Sequence, residues 1–358
     1  GGKPASFHHS VIAHVQNRSP RFNGARYEST NYDKTLYPNT VLAENVDFRN
    51  NLLYNWGNGA GSYGGPGGGQ INIVNNYYKA GPGTKNKTNV TQVSVGNSGN
   101  STNANLTGYA SRYYVAGNYV TAAGDAAESY DWKGVSYDGG LSTINGERYI
   151  PDAKHLYGEN ADYVKNTSGV DCIRLRLDEP TITGEVTTHS AEQAYNKILK
   201  YAGASLFRDA VDKRVMEEAR TGTVTYNGDV PYVDANGKTY AKSGTKGIVD
   251  WVNDPASATQ NPGVPSFPVI KQESRPDNFD TDRDGMPDAW ETANGLDPND
   301  PDDGNLYTLD PRGWYTNFEV YANGIVEHMI KDQNADAIEA VDEYYPVANH
   351  SSSIADVE

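Results

Sequence analysis

Two decapeptides, VDFRNNLLYN (46–55) and INIVNNYYKA (71–80), align without a gap at a separation of 25 residues. The run SFHHSVIAH (6–14) falls in the same frame, with His9-Ser10 standing where Asn50-Asn51 and Asn75-Asn76 stand. A weaker fourth copy, YYVAGNYV, places Gly117-Asn118 at that point. Each copy reads as a short strand, a polar corner and a second short strand. Repeats of this length mark solenoids, and the 3.6-residue period of a helix is absent. The pattern predicts a parallel β-helix in which equivalent side chains stack, so that the corner asparagines form a hydrogen-bonded ladder. The glycine-rich insert GNGAGSYGGPGGGQ (57–70) is read as a flexible loop between coils, outside any core. A phosphate-cradling reading of this run is weak, because no Gly-Lys-Ser/Thr follows and no helix starts there.

Composition supports an all-β chain. Tyrosine (26) and glycine (37) are abundant among 358 residues, which suits strands and turns better than a helix bundle. Cys172 stands alone, so no internal disulfide forms. No apolar run approaches the ~20 residues of a membrane span. Gly1, with neither an initiator Met nor a signal-like apolar stretch, is expected to be a processed or truncated end. Charge is uneven: residues 1–90 hold nine Lys/Arg against four acids, a segment of +5 on a chain of −16. Such a segment can receive a polyanion or simply be a solvated basic face. The acidic chain as a whole argues against nucleic acid.

After about residue 125 the repeat fades, and 125–188 reads as irregular. Ser190 with Gln193 forms a capping box for a helix over 191–202, and 208–222 reads as a second helix ending at Gly222. Both are expected to flank the solenoid. NPGVPSFP (261–268) reads as a linker. Three segments follow: coils over 1–125, an irregular and helical region over 126–260, and an acidic region over 261–358.

The last segment carries a twelve-place loop of EF-hand type from Asp280 to Glu291. Asp280, Asp282, Asp284 and Asp288 fill places 1, 3, 5 and 9, Gly285 makes the turn, and Met286 offers a carbonyl at place 7. Glu291 closes the loop at place 12. A hard cation that takes six to eight oxygens requires this spacing, so calcium is the expected cofactor and a structural clamp its expected role. The bland alternative is a solvated acidic loop. His8, His9 and His14 suggest a metal less well. His8 and His9 face opposite sides of a strand, and stacking between coils is the preferred reading.

SFHHSVIAHVQNRSPRFNG, followed by VDFRNNLLYNWG and INIVNNYYKAGPGT, closely resembles pectate lyases of polysaccharide lyase family 1, most of all the secreted enzymes of Bacteroidetes-type bacteria. AEQAYNKILKYAGAS, RDAVDKRV and the loop running into GWYTNFEVYANGIV extend the resemblance over nearly the whole chain. It implies a right-handed parallel β-helix that cleaves polygalacturonate, an acidic plant polysaccharide, by β-elimination outside the cell or at its surface. It also implies Arg18 as the base. The family's substrate-calcium carboxylates and assisting lysine lie on coils before the histidine strand. They would therefore precede Gly1, and this chain would be the later part of such an enzyme or the partner of a separate N-terminal lyase fragment.

The chemistry is consistent with that implication. Elimination removes the C5 proton beside a carboxylate, and cations on that carboxylate stabilise the enolate-like transition state. A guanidinium is ordinarily a poor base, at ~12.5–13.8, but crowding by other cations disfavours the charged form. Pro20 fixes the backbone between Arg18 and Arg21. Arg21 offers a planar fork for two carboxylate oxygens, and Arg26 and Lys3 are further candidates to bind substrate. Alternatives stay open: either arginine can pair with a neighbouring acid, and the chain can be a non-catalytic β-helix that binds acidic polysaccharide. A hydrolase with paired carboxylates is the rival enzyme class, although Glu28, Asp33, Glu44 and Asp47 show no pairing motif.

Overall fold

The computed structural model describes residues 4–25, 44–97, 106–204, 206–234, 236–253, 260, 262–271 and 274–341. It divides into two compact units: one of residues 1–184 with 189–268, the other of 185–188 with 269–358.

The first unit is built on three stacked parallel sheets of four strands each. β1 (Pro4–His8), β4 (Glu44–Arg49), β7 (Gly69–Val74) and β10 (Arg112–Ala116) form the first. β2 (Val11–Ala13), β5 (Leu52–Tyr54), β8 (Tyr77–Lys79) and β11 (Tyr119–Val120) form the second. β3 (Arg21–Phe22), β6 (Ser62–Gly64), β9 (Thr91–Val93) and β12 (Val135–Tyr137) form the third. Successive coils contribute one strand to each sheet, an arrangement consistent with a β-helix. The register follows the repeat: Phe48 pairs with Ile73 and Leu52 with Tyr77, each 25 residues apart. Phe48, Leu53, Ile71, Ile73, Tyr78, Val93 and Tyr113 fill the interior.

The corners are asparagine ladders. Asn51 Nδ2 donates to Asn76 Oδ1 and Asn76 Nδ2 to Asn118 Oδ1, both at 3.1 Å. Ser10 N donates to Asn51 Oδ1 at one end, and Asn118 Nδ2 donates to Asp131 Oδ1 at the other. The residue before each rung turns the chain with positive φ: 50° at His9, 52° at Asn50 and Asn75, and 69° at Gly117. Asparagine tolerates this left-handed conformation better than most side chains.

Two expectations are corrected. The glycine-rich insert is no flexible loop: it supplies β6 of the third sheet, and most of it is buried. Gly64, at φ 127°, packs so close to β3 that a Cβ there would lie 2.0 Å from the Phe22 carbonyl oxygen. Its glycines are therefore a packing requirement. Nor is 125–188 irregular throughout. β13 (Ser142–Ile144), β14 (Glu147–Pro151), β15 (Tyr163–Lys165) and β16 (Asp171–Arg174) form an antiparallel sheet in the order β13-β14-β16-β15. Asn145-Gly146, with φ of 51° and 84°, makes the tight β13–β14 turn that this dipeptide favours.

After a single turn, α1 (Lys154–Tyr157), come the two expected helices, α2 (Ala191–Tyr201) and α3 (Ala210–Thr221). The Ser190–Gln193 capping box forms. Ile198 and Ala219 bury against Leu52 and Tyr54 of the second sheet, so both helices cover the solenoid's flank.

In the second unit, α4 (Asp288–Asn294) takes up the last places of the acidic loop and α5 (Asn317–Asn334) opens on a Thr316–Glu319 capping box. Among the described residues no helix is long and apolar enough to cross a membrane.

Candidate functional site

In the third sheet, inward and outward side chains alternate. Phe22, Gly64 and Val93 point inward and are buried, while Arg21, Tyr63 and Gln92 lie outward and are only partly so. Arg21 pairs with Tyr63 and Tyr63 with Gln92, so these three form one row across the stacked coils. Arg18 joins the row from the preceding turn. It is exposed, its φ is 62°, and Ser19–Pro20 is a cis peptide bond. The turn brings the Arg18 and Arg21 guanidinium carbons to 5.7 and 5.9 Å from the centre of the Tyr63 ring. Both lie in the range where a cation is attracted to an aromatic face. Beside them a cleft of about 260 Å³ is lined by Asn17, Arg18, Gly59, Ala60, Tyr63 and Gln92.

Asp138 steadies this row. One of its oxygens accepts from Gln92 Nε2, and the other lies 3.3 Å from the Tyr63 hydroxyl, which also reaches Ser94 Oγ at 3.1 Å. Sequence reasoning missed Tyr63, Gln92 and Asp138. Tyr63 sits in the glycine-rich insert, and the alternation in Ser62-Tyr63-Gly64 was the available signal.

Two other cations of the basic segment are engaged within the unit. Arg49 pairs with buried Asp47. Lys79 donates to the Tyr195 hydroxyl and the Arg220 carbonyl. Glu44 accepts from Asn23 N, and Asp47 stands three places on in the same strand, so the two carboxylates leave it on opposite faces. Lys3, Arg26, Glu28 and Asp33 lie outside the described residues. The histidines meet protein partners. His9 lies 2.9 Å from both His8 and His189, and His14 contacts buried Glu218 at 2.7 Å.

The second unit holds a different arrangement. Carboxylate oxygens of Asp280, Asp282 and Asp284 lie within 4.8 Å of one another, and so do those of Asp284, Glu291 and Asp303. Oxygens around calcium at 2.3–2.6 Å can be at most ~5 Å apart, so both spacings fit a cation. Asp280 Oδ1, Asp282 Oδ2, Asp284 Oδ2, Asp303 Oδ1 and both Glu291 oxygens are buried without a hydrogen-bond partner. Burial first, and then the charges of Asp282, Asp284 and Asp303, push Glu291 up to about 7. Burial and the neighbouring acids also raise Asp284. Carboxylates packed this way must be protonated or neutralised by a cation. The donor set therefore fits a hard divalent ion. Asp288 is placed otherwise: its two oxygens accept from Thr281 N at 2.7 Å and Thr281 Oγ1 at 2.6 Å. Asp303, which the sequence reading did not include, points its carboxylate into the cluster.

No protein-family model matches the chain. It is similar to fungal proteins named probable pectate lyase C. From Neosartorya fischeri the identity is 29% over 286 residues, and from Aspergillus fumigatus 29% over 284. From Aspergillus flavus it is 27% over 282. Each alignment covers 78% of this chain and 48% of the relative, so the chain spans about half the length of the curated relatives it matches.

Proposed function

We propose that this chain acts as a secreted, calcium-assisted pectate lyase that cleaves polygalacturonate by β-elimination on a right-handed parallel β-helix, as in polysaccharide lyase family 1. The observation that carries the reading is the convergence of Arg18 and Arg21 on the Tyr63 ring at the edge of an open cleft. An acidic sugar polymer supplies the carboxylates that such a pair attracts. Similarity to proteins named probable pectate lyase C supports the same substrate class.

In this reading Arg21 binds the uronate carboxylate through its planar fork, and Arg18, acting as neutral guanidine, takes the C5 proton and becomes guanidinium. The electron pair of the C–H bond becomes the C4–C5 double bond. The C4–O glycosidic bond breaks, and its oxygen takes a proton from solvent. Tyr63 holds both arginine side chains in place. Calcium at the substrate carboxylate would add positive charge where the enolate develops. In the second unit, Asp280, Asp282, Asp284 and Glu291 would hold a calcium ion whose role is structural.

The test is incubation with polygalacturonate while following the ultraviolet absorbance of an unsaturated sugar end. New reducing ends without that absorbance indicate a hydrolase. Binding with neither indicates a polysaccharide-binding β-helix.

A further inference from the structure

The acidic loop alone does not account for its own surroundings. A loop of this type uses its ninth residue as a ligand, directly or through water, yet both Asp288 oxygens are held by Thr281. Asp303 is only 6% exposed and stands twelve residues beyond Glu291. Its Oδ2 accepts from Asp297 N at 2.9 Å, which fixes the carboxylate, while Oδ1 is buried and unpartnered, facing Asp284 and Glu291. The residue after it is glycine, and a Cβ at Gly304 would lie 2.8 Å from Asp284 Oδ2. The segment therefore approaches the loop as closely as its backbone allows.

We infer that Asp303 is a ligand of the calcium site and Asp288 is not, so that the cation joins two separate stretches of chain. This rests on the calcium reading of the loop proposed above. A wider consequence follows from hydrogen bonds. The Asp303 carbonyl accepts from Asn317 Nδ2 at 2.9 Å. Asn317 is fully buried at the start of α5, and its Oδ1 accepts from Thr308 N and Leu309 N. Cation binding at Asp303 thus holds the turn 297–309 and the first turn of α5, as well as the loop that carries the motif.

Calcium titration by calorimetry of the full chain and of two variants tests this. Asp303→Asn keeps the shape and removes the charge. It is expected to weaken calcium binding about tenfold or more, since affinity follows the number of charged ligands. Asp288→Asn is expected to weaken it less than about threefold. Hydrogen exchange on the unaltered protein gives a second readout that needs no substitution. Calcium should slow exchange over 297–309 and 317–320 as well as 280–291. Unaltered affinity in Asp303→Asn, or calcium protection confined to 280–291, overturns the inference and leaves the calcium reading standing. A chain that binds no calcium at all overturns both.

Discussion

Arg18 and Arg21 share one aromatic ring, that of Tyr63, at 5.7 and 5.9 Å. The ring attracts a cation at either place, and so it positions both side chains beside the cleft. A cation over an aromatic face is stabilised by ~0.5–2 kcal/mol depending on desolvation. Tyr63→Leu removes this for both arginines and is expected to lower kcat/KM for polygalacturonate by roughly 10- to 30-fold, at ~1.4 kcal/mol per decade. Tyr63→Phe keeps the ring and should stay within about threefold of the parent. Equal losses in the two variants would mean that the hydroxyl, through Ser94 and Asp138, matters more than the ring.

The corner ladder makes a stability prediction. Asn76 is fully buried; its side chain accepts from Asn51 N and Nδ2 and donates to the Phe48 carbonyl and Asn118 Oδ1. Asn76→Ala leaves several buried partners without a bond, each costing ~1–3 kcal/mol. A loss on the order of 3 kcal/mol or more is expected in denaturant unfolding. A change below ~1 kcal/mol would show that water enters the corner and replaces the amide.

Much of this was legible in the sequence, because the repeat of 25 residues sets both register and ladder. Phe48 pairs with Ile73 and Asn51 meets Asn76 as the alignment requires. The third sheet was not legible. Its strands are only two or three residues long, and Tyr63 lies among glycines whose composition suggests a loop. Glycine is needed there for the opposite reason, since the backbones touch. In the acidic loop the sequence spacing identified four carboxylates that do converge, and Asp288 as a fifth. Spacing could not show that Thr281 satisfies Asp288, nor that Asp303 returns from twelve residues beyond the loop. That information lies in the path of the chain between them.

His9 predicts a dependence of stability on pH. Burial, followed by the neighbouring His8, His189 and Lys197, lowers its pKa to about 3. In the unfolded chain a histidine titrates near ~6.5. Between these values the unfolded state binds one more proton than the folded state. This contribution is therefore complete above pH ~6.5 and is lost as pH falls towards about 3, by up to ~1.4 kcal/mol per pH unit. His9→Asn places at this corner the residue that Asn50 and Asn75 use at nearly the same φ. The variant should fold and show a shallower slope across that window in urea titrations at stepped pH. An unchanged slope would assign the acid sensitivity to other groups.

The two arginines predict different kinetic defects. If Arg18 takes the C5 proton, Arg18→Ala should lower kcat by at least about a thousandfold, within the range that positioned proton transfer supplies, with little change in substrate binding. Arg18→Lys should fare no better, because a lysine ammonium reaches a different point and lacks the planar head. Arg21 starts β3, one coil from its partner Tyr63, where a fork can meet the carboxylate in ground and transition states alike. Arg21→Ala should therefore raise KM severalfold and reduce kcat less, as expected for an interaction present before and during the chemical step. Steady-state kinetics on polygalacturonate, with binding measured separately, distinguishes these outcomes. Near-normal turnover in Arg18→Ala would remove the base assignment and leave Arg18 as a binding cation on the Tyr63 ring.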